Sequence, residues 1–172
     1  MTRYIQLFLL LASLSIAPVI FGGIDEERSL TFFHTHTGNS LEVTYYRQGA
    51  YDPAAMSSIR VFLADWRDGN QHDIDPKVLD ILWQIQQVSG ETGIWEVISA
   101  YRSPETNKML RSKSSGVAKK SQHLEGNAID VRFTGLDLEV LRDTARSLKL
   151  GGVGYYPGSD FVHVDTGRVR YW

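Results

Sequence analysis

The chain has 172 residues, a formal net charge of −2, and 42% hydrophobic and 22% charged residues. That length carries one domain with its own core and is too short for two of ordinary size, and the near-neutral charge gives no electrostatic sign of a nucleic-acid partner. There is no cysteine, which excludes a disulfide framework and a thiolate metal site, so any bound metal must rest on His, Asp or Glu.

The N-terminus differs in character from the rest. Arg3 precedes an uncharged run from Tyr4 to Ile24, and Asp25, Glu26 and Glu27 come at once after it. A cation before an apolar run and acids after it direct export of the downstream chain, so residues 1–24 read as a signal peptide or an N-terminal membrane anchor, and residues 25–172 as the exported domain. Both readings stay open. About 20 apolar residues suffice to span a bilayer, while Ser15-Ile16-Ala17 has the small-x-small pattern of a cleavage site with Pro18, a poor residue for the cut, directly after it.

Leu30 to Tyr46 mixes β-branched and aromatic residues around His34-Thr35-His36-Thr37-Gly38-Asn39 and predicts two strands joined by a turn. Asp52-Pro53 supplies a helix cap and a first-turn proline, with Met56, Ile59, Phe62, Leu63 and Trp66 next at helical spacing. Asp75-Pro76 repeats the device before Val78, Ile81, Leu82, Ile85 and Val88, with Gly90 where a C-terminal glycine belongs. Ile94 to Ala100 predicts a buried strand, and Ser103-Pro104 opens a third helix just beyond it. Arg102 therefore stands where a strand gives way to a helix, a place from which side chains are aimed into clefts.

Arg111 to Ser121 is polar and basic and reads as a loop. From Asn127 the chain alternates, with Ala128, Asp130 and Arg132 on one side and Ile129, Val131 and Phe133 on the other, so a carboxylate is carried on a strand. Leu136 to Leu150 predicts a last helix ended by Gly151-Gly152, and Asp160 to Asp165 a second alternating strand with His163 and Asp165 on one face. Strands and helices without regular βαβ alternation predict an α+β fold, a small antiparallel sheet flanked by helices.

If those two polar-bearing strands pair, Asp130 lies beside His163, and the turn at Gly126 lets His123 fold over them. A His, Asp, His set leaves the fourth position of a tetrahedral zinc open for water, which is the catalytic rather than the closed structural arrangement. Spacing alone is met equally well by a solvated turn with a satisfied core histidine.

The residues around these positions are more specific. Ser121 to Asp130, SQHLEGNAID, fits S-x-H-x-x-G-x-A-x-D and so resembles the zinc peptidases that cut D-amino-acid bonds in peptidoglycan. Ser99-Ala100-Tyr101-Arg102-Ser103 is similar to that family's S-G-Y-R-S segment, with Ala100 in place of glycine. His36-Thr37-Gly38, Gly116 to Ser121, Gly151 to Pro157 and Phe161 to Gly167 resemble its murein endopeptidase K-like subgroup, so that the resemblance covers His34 to Trp172. Members of that subgroup can carry a twin-arginine signal, which this sequence lacks.

The resemblance implies a Hedgehog/DD-peptidase-like fold, Zn2+ held by His123, Asp130 and His163, and Arg102 holding or polarising the substrate near the scissile bond. It implies a periplasmic peptidase of stem-peptide cross-links in peptidoglycan, and the subgroup resemblance points to the L,D bond between diaminopimelate residues, where the residues themselves leave D,D and L,D bonds open. Many relatives have Glu three residues before the last histidine; here that slot holds Asp160, the expected proton acceptor. Residues three apart in a strand face opposite sides, so Asp160 has to sit before the strand proper or on a bulge to act there. Two alternatives accompany this reading: a D,D-carboxypeptidase or dipeptidase acting on free stem peptides, and a non-catalytic wall-binding domain that keeps the metal as a clip. A binding module needs neither Arg102 nor an acid at position 160. Asp165 reads as a turn residue or as an acceptor orienting His163, Tyr155 and Tyr156 as a groove wall or sheet packing, and Glu125 as a rival for the proton acceptor. Lys119 and Lys120 read as a solvated pair or an attractor of anionic wall material, and oligomeric state is not legible.

Overall fold

The computed structural model describes residues 26–114 and 116–172. The segment read as signal peptide or anchor, residues 1–24, lies outside them, and among the described residues no helix is long and apolar enough to cross a membrane. The strands on either side of the His34–Asn39 turn are β1, Arg28–His34, and β2, Ser40–Arg47; a two-residue β3, Ala50–Tyr51, comes next.

Three helices begin with the same device. Asp52 accepts from the backbone N–H groups of Ala54 and Ala55 to open α1, Pro53–Phe62, and Asp75 accepts from Lys77 to open α2, Pro76–Ser89. After β4, Trp95–Ser99, the Ser103 hydroxyl accepts from Thr106 to open α3, Pro104–Lys113. In each case proline takes a position whose N–H has no helical partner, and the cap oxygen satisfies an orphan donor. β5, Ala128–Phe133, α4, Leu138–Leu148, β6, Gly152–Tyr156, β7, Phe161–Asp165, and β8, Arg170–Tyr171, complete the chain.

Three helix C-termini differ from the sequence reading, and the first is that of α3, which runs on to Lys113 through the opening residues of the stretch read as a loop. α1 stops at Phe62 because Leu63 caps it and the buried Asp65 ties down the next loop by accepting from the Arg67 N–H, so Trp66 lies off the helix. α4 ends on Lys149, in left-handed conformation at φ 55°, ahead of Gly151-Gly152. Those glycines serve close approach instead, since a Cβ on either would collide with Asp165.

The sheet departs further from expectation. It is neither small nor antiparallel throughout: eight strands run in the order β3-β2-β1-β4-β5-β7-β6-β8, with β1 parallel to β4 and β6 parallel to β8. The long connection through α1 and α2 returns the chain beside β1 in the same direction, which a hairpin cannot do. β3 and β8 have two residues each and β6 two glycines, too short or too bare to display strand alternation.

The core lies between this sheet and the helices. Ile129, Val131 and Phe133 of β5, Val162 and Val164 of β7, and Trp95 and Val97 of β4 pack with Leu79, Leu82 and Ile85 of α2 and Leu141 of α4, all essentially without solvent exposure. β5 and β7 pair with Ile129 opposite Val164 and Val131 opposite Val162, so Asp130 stands opposite His163 on the other face.

Between α3 and β5 a short 3₁₀ turn, Gln122–Glu125, is closed by Gly126 at φ 67°. A side chain there would meet both a strained backbone and the carbonyl oxygen of Asp73. Strain of this kind costs about 1–3 kcal/mol, so Gly126→Ala is expected to lower Tm by about 2–10 °C. Gly158→Ala, at a position with open space around it, is the control and leaves Tm in place; an unchanged Tm for Gly126→Ala contradicts a strained, crowded turn.

Candidate metal centre

The structure brings His123, Asp130 and His163 together. His123 Nδ1 donates to the Ala100 carbonyl at 2.6 Å, which turns Nε2 toward the other two residues. His163 is fixed from behind in the mirror sense: its Nε2 lies 2.9 Å from Asp165 Oδ2, and its Nδ1 faces the group. The three facing atoms are His123 Nε2, Asp130 Oδ1 and His163 Nδ1, with separations of 3.2 Å between the imidazoles, 3.3 Å from His123 to Asp130 and 2.8 Å from His163 to Asp130. Nitrogen and oxygen ligands about 2.0–2.1 Å from a tetrahedral zinc lie roughly 3.3 Å from one another. The donor set, its spacing and its buried position therefore fit a zinc-sized ion, and each histidine presents to it the nitrogen that its other hydrogen bond leaves over.

The charges are arranged for a cation. Burial works to raise the Asp130 carboxyl, but His123 and His163 outweigh it and hold the group far below the usual carboxylate range. Burial likewise opposes charge on His163, yet hydrogen bonds to Asp130 and Asp165 push it up to about 9, whereas burial prevails on His123 and lowers it. A proton on His163 thus satisfies the two carboxylates when no metal does so, and a bound metal takes over that role.

Asp165 fulfils both of its sequence readings. Its carboxylate accepts from the backbone N–H groups of Gly152 and Gly167 at 3.2 and 2.8 Å, and from Arg170 Nη1 and Nη2 at 3.0 and 2.6 Å, while Oδ2 faces His163. A residue held on so many sides can fix an imidazole plane.

A cleft of about 650 Å³ opens in front of the three residues, with Arg102, Lys120, Tyr156, Phe161 and Trp172 among its walls. The Arg102 N–H donates to the His123 carbonyl at 3.0 Å, so the strand end and the 3₁₀ turn are tied together. Its guanidinium reaches Asn107 Oδ1 at 3.4 Å, its Nε is buried with no hydrogen-bond partner among the described residues, and it forms no ion pair with a described carboxylate. Burial lowers its pKa, an effect that Asp130 partly offsets. An arginine so placed has donors to spare for something in the cleft.

Asp160 is not brought to the group. It lies just ahead of β7 at φ 55°, and its carboxylate pairs with Arg132 at 2.6 Å, outside the walls of the cleft. Glu125 and Lys119 do not line the cleft either. His36 stacks on Trp66 at 4.0 Å, His34 is buried against Phe62, and His72 stacks on Tyr101. Tyr155 and Tyr156 part company: Tyr155 packs on the core and Tyr156 faces the cleft. The sequence reading missed Phe161, Trp172 and Asn107; the alternation that places His163 and Asp165 on one face also places Phe161 there, and was the available signal.

A buried His, Asp, His cluster open to a cleft, beside an arginine with unused donors, is the construction of a metal-dependent hydrolase. The chain belongs to the peptidoglycan L,D-endopeptidase MepK family, whose model matches residues 23–172. It is 41% identical over 145 residues to the peptidoglycan L,D-endopeptidase MepK of Escherichia coli K12, covering 84% of this chain and 80% of that protein. Its identity to the probable peptidoglycan L,D-endopeptidase MepK of Haemophilus influenzae is 42% over 146 residues, with 84% and 78% covered. The chain is accordingly an enzyme of the peptidase class.

Asp165→Asn, which keeps the shape but weakens the hold on His163, is expected to lower zinc affinity about 10–100-fold in competition with a chromogenic chelator. An unchanged affinity with Tm preserved contradicts the orienting role of Asp165.

Proposed function

We propose that this protein is an exported zinc peptidase that hydrolyses stem-peptide cross-links in peptidoglycan, at the L,D bond, with His123, Asp130 and His163 as the metal ligands. The observation that carries the reading is the cluster itself: three mutually spaced donor atoms, each histidine oriented by a group behind it, at the floor of a cleft that Arg102 enters. The choice of the L,D bond rests on the names of the relatives. Export rests on residues 1–24 as signal peptide or anchor and agrees with an extracytoplasmic substrate; a tether through that segment belongs to the same proposal.

Zinc, when bound, supplies a Lewis acid and lowers the pKa of water into the neutral range. The chain's own residues do the rest. Asp130 would offset one of the ion's two positive charges, and the Ala100 carbonyl and Asp165 keep the two imidazoles from turning away. Arg102 directs N–H donors at the carbonyl oxygen of the scissile bond, where negative charge develops. Its position between β4 and α3, bonded through its backbone to the turn that carries His123, holds that donor in fixed relation to the ligands.

Asp160 enters as proton acceptor by exchanging Arg132 for the cleft. The pair is solvent-exposed, the Asp160 side chain at 61%, so breaking it costs about 1 kcal/mol or less, against the 10²–10⁴-fold that a positioned base contributes. Asp160→Asn is therefore expected to lower kcat at least about 100-fold with bound zinc unchanged. A rate within threefold of wild type would return Asp160 to the role of an Arg132 partner.

Digestion of purified sacculi by residues 25–172, read by mass spectrometry of the released muropeptides, tests the function. Cross-linked dimers are expected to disappear in a chelator-sensitive manner, to persist with His163→Ala, and to fall about 100-fold more slowly with Arg102→Ala at unchanged metal content. Shortened stems with intact cross-links would replace the endopeptidase by a carboxypeptidase, and unchanged muropeptides from zinc-loaded protein would leave only a wall-binding module.

A further inference from the structure

Tyr156 and Trp172 form a pair on the cleft wall whose hydrogen bonding is incomplete among the described residues. Tyr156 is the last residue of β6 and stands opposite Phe161 of β7, two positions along from the Gly154–His163 pair. Strand alternation thus puts Tyr156, Phe161 and His163 on one face, and all three line the cleft. The Tyr156 ring stacks on Phe161 with centroids 4.6 Å apart and planes 22° from parallel, which fixes its plane.

Trp172 fixes its hydroxyl. The Trp172 N–H donates to the Val153 carbonyl, and its carbonyl accepts from the Tyr155 N–H, which lays the residue along β6. Its indole occupies the space over Gly154 that a side chain would take: a Cβ there would come within 2.6 Å of the ring. From this seat the indole Nε1 lies 2.6 Å from the Tyr156 hydroxyl, and the ring centroid 5.3 Å from that of His163. An indole nitrogen can only donate, so the phenol oxygen is the acceptor. The phenol's own hydrogen has no acceptor among the described residues, and the residue lines the cleft together with Arg102 and the three candidate ligands, so the hydrogen is free to turn toward a group bound there.

We propose that Tyr156 donates this hydrogen to an oxygen of the substrate, as a second donor beside Arg102, and that Trp172 is a positioning residue that holds the phenol for it. This rests on the peptidase reading above. Two substrate oxygens have the required chemistry: the scissile carbonyl, which becomes negative as the bond is attacked, and a stem-peptide carboxylate, which is negative throughout. A donor to the first is felt in kcat and a donor to the second in KM.

The test is steady-state kinetics of the zinc-loaded enzyme on a purified cross-linked muropeptide dimer with Tyr156→Phe, Trp172→Phe and the double variant, with Tm and zinc content measured for each. Tyr156→Phe keeps the stacked ring and removes only the hydroxyl. It is expected to lower kcat/KM by about 10–1000-fold, through kcat if the acceptor is the scissile carbonyl and through KM if it is a carboxylate. Trp172→Phe keeps an aromatic wall without the N–H and is expected to cost at least about threefold in the wild type and nothing further in the Tyr156→Phe background, the non-additivity of residues acting as one unit. Values within twofold of wild type for Tyr156→Phe overturn the donor role, and equal losses for Trp172→Phe in both backgrounds overturn the positioning role. Wild-type enzyme inactive on the dimer while zinc-loaded overturns the endopeptidase reading instead, and is seen before any variant is made.

Discussion

The register of β5 on β7 is the constraint on which the site depends. Ile129, Val131, Val162 and Val164 are all buried at 1% exposure or less and pair across the two strands. Full burial of such a side chain contributes about 1.5–3 kcal/mol, and a slip of one residue turns every one of them to the wrong face. The apolar core therefore holds the register, and the polar face has no choice: Asp130 is set opposite His163 because their neighbours are needed by the core. Two of the three candidate ligands are positioned by hydrophobic packing on the far side of the sheet.

The third candidate ligand and the orientation of both imidazoles come from backbone and turn chemistry. His123 reaches the group only because Gly126 adopts a conformation and a closeness to Asp73 that no side chain permits. Its imidazole is then held by the Ala100 carbonyl, in the short segment between β4 and α3 that also carries Arg102. On the other side Gly151, Gly152 and Gly154 leave room for Asp165, Arg170 and Trp172 to come up behind His163. Gly126, Gly151, Gly152 and Gly154 thus mark places where another group needs the volume, and of the groups they admit Asp165 fixes the His163 plane and Trp172 the phenol of Tyr156.

Much of this was legible in the sequence because the features involved are local. Caps with an adjoining proline located α1, α2 and α3, and alternation in residues 128–133 and 161–165 identified the two strands of the site and their polar faces. Parallel pairing of β1 with β4 was not legible, since it depends on how the α1–α2 connection folds back over the sheet. β6 and β8 were hidden by glycines and by brevity, and with them the seat of Trp172. Asp160 was read as the first residue of the strand, to act only from before the strand proper or from a bulge; it lies just ahead of β7, and its partner was not foreseen, because Arg132 lies 28 residues away in sequence and meets it only through the β5–β7 pairing.

The central claim is that one ion is held by His123, Asp130 and His163 together. A crystal of the zinc-loaded protein, with anomalous difference maps recorded above and below the zinc absorption edge, measures this directly. The expected result is a single strong edge-dependent peak about 2.0–2.2 Å from His123 Nε2, Asp130 Oδ1 and His163 Nδ1. A peak that involves the opposite nitrogen of either histidine, that lies elsewhere on the chain, or that is absent from protein carrying one equivalent of zinc would contradict it.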